Sequence, residues 1–243
     1  MSRTQNNRKL KETSRRHLLR YGGAAAGLAL AGTLAYQFRA ITPARFPSHP
    51  LRASSTWAPT LLVVYGSMMG STGIQAAEME NVAQAAGWST RLARVDEQPD
   101  PAAFDAVIMG SAIRAGSWLP EMLDWAQRSE AAILARPHAL FQCSMRCAGL
   151  RRDQPDHGLT EADTAALKSD LDALHAAAPG LADAPIAFFG GVLDYDRLTP
   201  PLRIGYPIVS GSLMSGDYSR PEQNRAYAET VLNGPDFKAL VKS

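Results

Sequence analysis

The chain has 243 residues, enough for one domain with appendages or for two small ones. Hydrophobic residues make up 46% and charged ones 20%, so a core can be buried and a disordered or fibrous chain is excluded; two cysteines exclude a disulfide scaffold or a cysteine-rich zinc module. The net charge of +2 joins two opposite parts: residues 1–56 hold ten of the 25 Lys and Arg and one acid, Glu12, leaving fifteen basic against 22 acidic groups in an acidic body that argues against nucleic-acid binding.

Ser14-Arg15-Arg16-His17-Leu18-Leu19-Arg20 leads into residues 21–38, eighteen positions without a charge. A basic stretch followed by an apolar one is the layout of an export signal. The run is rich in alanine and carries Gly22, Gly23, Gly27 and Gly32, which keeps its hydrophobicity low. It resembles a twin-arginine signal: a serine, paired arginines, one variable residue, two leucines and a basic residue. At about 1.5 Å per residue the run also just spans a bilayer. Two fates therefore stay open: cleavage near Thr33-Leu34-Ala35, or retention as an inner-membrane anchor. The resemblance implies a periplasmic location. Because that route carries folded proteins, commonly with a cofactor bound, it also implies a cofactor in the body. Residues 39–58, with Pro43, Pro47 and Pro50, read as an extended linker, and residues 59–243 as a single domain.

Leu61-Leu62-Val63-Val64-Tyr65 is a short apolar strand ended by Gly66. Residues 72–86 carry apolar side chains at helical spacing (Ile74, Ala77, Met79, Val82, Ala83, Ala86) and stop at Gly87. Residues 89–95 read as an edge strand, and 105–109 as a buried strand stopped by Gly110. Residues 119–134 form a helix with Pro120 in its first turn, where a missing N–H costs nothing. Residues 138–143 give another strand, 160–178 a helix capped by Thr160, and 185–192 the last strand. Residues 221–241 are helical with a break at Gly234-Pro235. Strands separated by helices call for a parallel sheet with right-handed crossovers. Five of them fit an α/β fold, a doubly wound, flavodoxin-like sheet of order 2-1-3-4-5.

The turn after the first strand is Gly66-Ser67-Met68-Met69-Gly70-Ser71-Thr72. It lies at the carboxyl end of a strand and opens a helix, where a doubly wound sheet binds its ligand. Its glycines let main chain approach an anion, and its N–H groups, three hydroxyls and the helix dipole converge there. A Walker loop is disfavoured because Ser71 stands where a lysine is needed, and a dinucleotide fingerprint because Met68 fills the place of its second glycine. A hydroxyl-lined loop with no basic residue suits a phosphate that stays bound and never reacts, as in flavin mononucleotide (FMN). No metal-ligand spacing joins the five histidines, and no Gly-x-Ser-x-Gly elbow occurs.

Residues 65–72 resemble the phosphate loop of flavodoxins, whose pattern is Ser/Thr, two variable residues, Gly, one variable residue, Thr; Ser67, Met68, Met69, Gly70, Ser71 and Thr72 match it. Gly110-Ser111-Ala112-Ile113-Arg114-Ala115-Gly116-Ser117-Trp118 is similar to the second flavin loop of the menaquinone-dependent protoporphyrinogen oxidases. Gly190-Gly191-Val192-Leu193-Asp194-Tyr195 is similar to that family's last strand and the segment after it. The resemblance covers about residues 60–240, with two departures: Ala115 replaces an aromatic, and residues 197–216 are rich in Pro and Gly where the oxidases are basic and apolar. It implies FMN held at its ring by Ser111, Ala112, Ile113, Arg114 and Gly116, with Trp118 either stacking on the ring or packing beneath a helix. Arg114, the expected catalytic residue, either stabilises reduced anionic flavin or a substrate carboxylate, or pairs at the surface. The resemblance also brings Ser144, Met145 and Arg146 beside the ring. Flanking them, Cys143 and Cys147 are either a disulfide or two thiols. The partners implied are a quinone or a redox protein, with a porphyrinogen-like substrate for a dehydrogenase. The alternatives are a one-electron carrier and a flavin-free binding module.

Overall fold

The computed structural model describes residues 48–148, 161–194, 200, 203 and 216–241. The export signal, residues 39–47 of the linker, the Thr160 cap and most of residues 195–215 lie outside the described residues. The chain divides into two units. One comprises residues 43–195 and 210–243 and carries the sheet with its helices; of the other, residues 1–42 and 196–209, only 200 and 203 are described.

The strands are β1 (His49–Arg52), β2 (Thr60–Gly66), β3 (Ser89–Arg94), β4 (Ala106–Arg114), β5 (Ser117–Trp118), β6 (His138–Cys143), β7 (Ile186–Phe189), β8 (Val192–Leu193) and β9 (Gly216–Asp217). The helices are α1 (Ser71–Ala85), α2 (Pro120–Leu134), α3 (Glu161–Ser169), α4 (Asp172–Ala177), α5 (Pro221–Leu232) and α6 (Pro235–Val241). One sheet runs β1-β3-β2-β4-β6-β7, with β5 hydrogen-bonded to β4 off this path; β8 and β9 form a separate antiparallel pair. The five neighbours β3, β2, β4, β6 and β7 are mutually parallel. Counted along the chain, those five stand in the order 2-1-3-4-5.

Alternation along the strands builds two cores, one on each face. Leu61, Val63 and Tyr65 of β2 join Met79, Trp88, Ile108, Phe141, Val231 and Phe237 under α1, α5 and α6. Leu62 and Val64 join Val107, Met109, Trp118, Met122, Trp125 and Leu174 under α2 and α4. Both faces of β2 are covered, which is why it reads as a continuous apolar run.

Four elements differ from expectation. The linker is not free over residues 49–52, because β1 pairs antiparallel with β3. Its His49 Nδ1 lies 2.6 Å from Oε2 of the fully buried Glu80, whose Oε1 accepts from Thr90 Oγ1 at 3.1 Å. β3 is therefore not the edge strand that the sequence suggested, since β1 covers it and becomes the outer strand. β4 does not stop at Gly110 but runs to Arg114 and returns through Ala115-Gly116 into β5. Both turn residues have positive φ, 53° and 78°, the signature of a type I′ hairpin. The predicted helix 160–178 divides at Asp170-Leu171 into α3 and α4. The last parallel strand ends at Phe189, and Gly190-Gly191 separates it from β8.

Gly110 ends nothing: a Cβ there would run into the ring of Phe141 on β6. Gly110→Ala is expected to lower stability by about 1–3 kcal/mol, the usual cost of overpacking a core. Urea denaturation checks this; an unchanged midpoint would contradict it.

Candidate cofactor site

Parallel register brings three loops to one edge of the sheet. Gly66 of β2 is opposite Ser111 of β4, and Ala112 of β4 is opposite Cys143 of β6. The turn into α1, the β4–β5 hairpin and the residues after β6 therefore share the carboxyl edge.

In the first loop, Gly70 N–H donates to Ser67 Oγ (2.9 Å), and Gly70 takes φ 96° before α1 begins. Its carbonyl accepts the first helical bond, from Ile74 N–H at 3.1 Å. The N–H groups of Ser71, Thr72 and Gly73 have no hydrogen-bond acceptor among the described residues, as a helix start requires. These three residues are buried. The Thr72 hydroxyl is buried with no hydrogen-bond partner in normal geometry among the described residues; it lies beside the Cys143 sulfur, whose own proton goes to Gln75 Oε1 at 2.7 Å. No acidic side chain stands in the first turn. Leaving a buried donor unsatisfied costs about 1–3 kcal/mol. The arrangement fits a bound phosphate: three amides and a hydroxyl at the positive end of a fifteen-residue helix. Met68 and Met69 are half-buried beside it.

The second loop decides between the two alternatives for Trp118. Trp118 does not stack on a ligand: it is 1% exposed, and its Nε1–H donates to Gln142 Oε1 at 2.9 Å. The type I′ turn reverses the chain after Arg114, and Trp118 lies in the same core cluster as Val107 and Met122. Ser111 is fully buried as well; its hydroxyl accepts from Leu119 N–H (3.1 Å) and donates to the Ala112 carbonyl (2.8 Å), pinning the hairpin to α2. Ala112, Ile113 and Arg114 are half-buried and Gly116 is exposed at the rim. Arg114 makes no ion pair with any described residue.

In the third loop, Ser144 is buried and its Oγ accepts from Arg146 N–H at 3.2 Å. Met145 is half-buried and Arg146 is exposed. Both cysteines are free thiols. Burial raises the thiol pKa of Cys143 far above its ordinary value and pushes that of Cys147 up to about 12, so neither is a thiolate at neutral pH.

Three residues with site roles were not singled out from the sequence. Gln75 and Gln142 are fully buried, and Asp170 is 1% exposed. Gln142 joins Trp118 to Asp170, whose Oδ2 accepts from Gln142 Nε2 at 3.3 Å and lies 4.0 Å from Arg146 Nε. A buried polar residue at the carboxyl end of a predicted strand, as Gln142 is, was the signal available.

Burial raises the Asp170 pKa, opposed by the Arg146 charge. A carboxyl raised on folding favours the folded state at low pH and loses that contribution as pH climbs through the raised value. Asp170→Asn should therefore be more stable than the parent chain at pH 7, with the gain fading as pH approaches the ordinary aspartate value of about 3.9. Denaturation midpoints across pH check this; a variant less stable at pH 7 would contradict it.

The flavodoxin-domain family model matches residues 62–204. No curated protein matches the sequence. Solved structures similar to this chain include oxidised flavodoxin 2 from Bacillus cereus, at 16% identity and TM-score 0.43, covering 71% of this chain and 97% of that one. A Streptococcus pneumoniae flavodoxin is similar at 13% identity and TM-score 0.40, covering 74% and 98%. A flavodiiron core from Synechocystis is similar at 13% identity and TM-score 0.40, covering 77% of this chain and 37% of that one. The matched stretch starts within β2 and takes in all three loops of the carboxyl edge, and the chain belongs to the flavodoxin-domain family.

Proposed function

We propose that this protein is an exported flavoprotein that holds FMN at the carboxyl edge of its sheet and transfers electrons there. The observation that carries the reading is the set of buried, unsatisfied donors at the start of α1, above all Thr72 Oγ1. Flavodoxin-fold homologues bind FMN. FMN, when bound, supplies one- and two-electron redox chemistry, while the protein supplies binding and electrostatics.

Ser67, Met68, Met69, Gly70, Ser71 and Thr72 hold the phosphate. Ser67 keeps the turn closed through Gly70 N–H, and Thr72 donates its hydroxyl proton to the dianion. With no lysine in the loop, nothing there activates the phosphate for transfer. Ala112, Ile113, Arg114 and Gly116 on one side, and Ser144, Met145 and Arg146 on the other, frame the ring. Arg114 and Arg146 place two cations at the rim, where they offset negative charge.

The acidic body favours a redox protein with a basic surface as partner. One observation supports a second reading, a dehydrogenase of the protoporphyrinogen type passing electrons to a quinone: Arg114 stands at the rim without a described ionic partner, suited to a substrate carboxylate. Turnover of a porphyrinogen with menaquinone would establish the dehydrogenase. Reduction only through a second protein would establish the carrier. A colourless protein that takes up no FMN would leave a flavin-free module.

Export rests on the first 38 residues, and no helix among the described residues is long and apolar enough to cross a membrane. Changing Arg15 and Arg16 together to Lys is expected to abolish delivery to the periplasm, measured by cell fractionation; continued export would contradict the twin-arginine reading. Thr72→Val is expected to weaken FMN binding about 10- to 100-fold, the effect of losing one hydrogen bond to a charged group. Fluorescence titration of the flavin-free protein checks this; unchanged affinity would contradict the cradle.

A further inference from the structure

We infer that Gln75 and the glycine pair Gly190-Gly191 form a fourth wall of the cradle, with Gln75 as the positioning residue that sets the preference for a phosphorylated flavin over an unphosphorylated one. This rests on the FMN reading above and extends it to residues outside the three loops.

Gln75 lies on α1 one turn beyond Ser71 and Thr72, and it is fully buried. Both ends of its carboxamide are engaged. Nε2 donates to the Gly190 carbonyl at 2.5 Å, and Oε1 accepts from the Cys143 thiol at 2.7 Å. One side chain therefore joins the helix that opens at the cradle to the carboxyl ends of β6 and β7. A buried carboxamide is costly unless satisfied, and an apolar residue of similar size would fill the same space without that demand. What the carboxamide adds is a fixed distance between α1 and two strand ends.

The glycine pair shows why that distance matters. Both glycines are buried; a side chain at Gly190 is blocked by main chain, and one at Gly191 presses closely on Ser71. A Cβ at Gly190 would run into the carbonyl of Tyr218. A Cβ at Gly191 would come within 3.0 Å of Ser71 Oγ and 3.8 Å of Met145 Sδ. The pair is held from both sides: Tyr218 N–H donates to the Gly191 carbonyl at 3.0 Å, and Ser144 N–H donates to the Phe189 carbonyl at 2.9 Å. Bare main chain thus passes between the start of α1 and the third loop. Added bulk in this segment at Gly191 would press on Ser71, at the first amides of the helix. Gln75 is the direct polar tie between that segment and α1.

Riboflavin lacks only the phosphate of FMN, so the ratio of the two affinities isolates the grip on the phosphate. The experiment titrates the purified full-length chain, freed of flavin, with FMN and with riboflavin. Gln75→Met keeps the volume and removes both bonds. Gly191→Ala keeps the bonds and presses on Ser71. Cys143→Ser keeps the donor to Gln75. Gln75→Met and Gly191→Ala are each expected to lower the FMN-to-riboflavin affinity ratio by about tenfold, the equivalent of one hydrogen bond, with riboflavin binding unchanged. Cys143→Ser should retain the parent ratio. An unchanged ratio in both Gln75→Met and Gly191→Ala overturns the inference, as does an equal loss for both flavins, which would mark a purely structural role. A parent chain that binds neither flavin overturns the cofactor reading and this inference with it.

Discussion

The structure depends on a helix that begins inside the protein. Most helices open towards water, which satisfies their first amides. Here Ser71, Thr72 and Gly73 are buried, and the hydroxyl of Thr72 has no hydrogen-bond partner. Unsatisfied donors at the positive end of a fifteen-residue helix destabilise the fold there, a cost that an anion at this turn would offset. Gly70, in the left-handed region at φ 96°, allows the chain to enter the helix at this angle, and Ser67 closes the turn behind it.

The rest of the carboxyl edge serves this turn through two buried carboxamides on opposite faces of the sheet. Gln75 ties α1 to Cys143 and Gly190. Gln142 ties the Trp118 indole to Asp170, and so joins the β4–β5 hairpin to the segment between α3 and α4. They come from α1 and β6, not from the loops themselves. The rim carries the charged groups, the half-buried Arg114 and the exposed Arg146, while rigid elements beneath carry the polar ties. This division lets the rim vary while the cradle stays in place.

The cradle and the parallel sheet were legible because their signals are local. A β-branched run, a Gly-x-x-x-Gly turn with hydroxyls and a helical period lie within residues 61–86, and each points to the same arrangement. What was missed needed a partner far along the chain. Gly110 reads as a stop, yet its cause is Phe141 on the neighbouring strand. The linker reads as free because Glu80, which holds His49, is 31 positions away. Trp118 sits in a loop by pattern, and only Gln142, 24 positions on, explains why its indole faces the core. Asp170 carries the charge pattern of a solvated helix face, but the helix ends there and the carboxyl turns inward. A hairpin of Ala115-Gly116 was equally hard to read, since alanine at φ 53° departs from the Asn-Gly or Gly-Gly that announces such a turn.

The central claim is that the amides opening α1 hold a phosphate dianion. Amide-resolved nuclear magnetic resonance of the flavin-free protein, titrated with FMN, tests it most directly. The N–H signals of Ser71, Thr72 and Gly73 should shift on adding FMN and gain protection from solvent exchange, and riboflavin should leave them nearly unmoved. Binding of FMN that leaves these three signals unchanged would contradict the account.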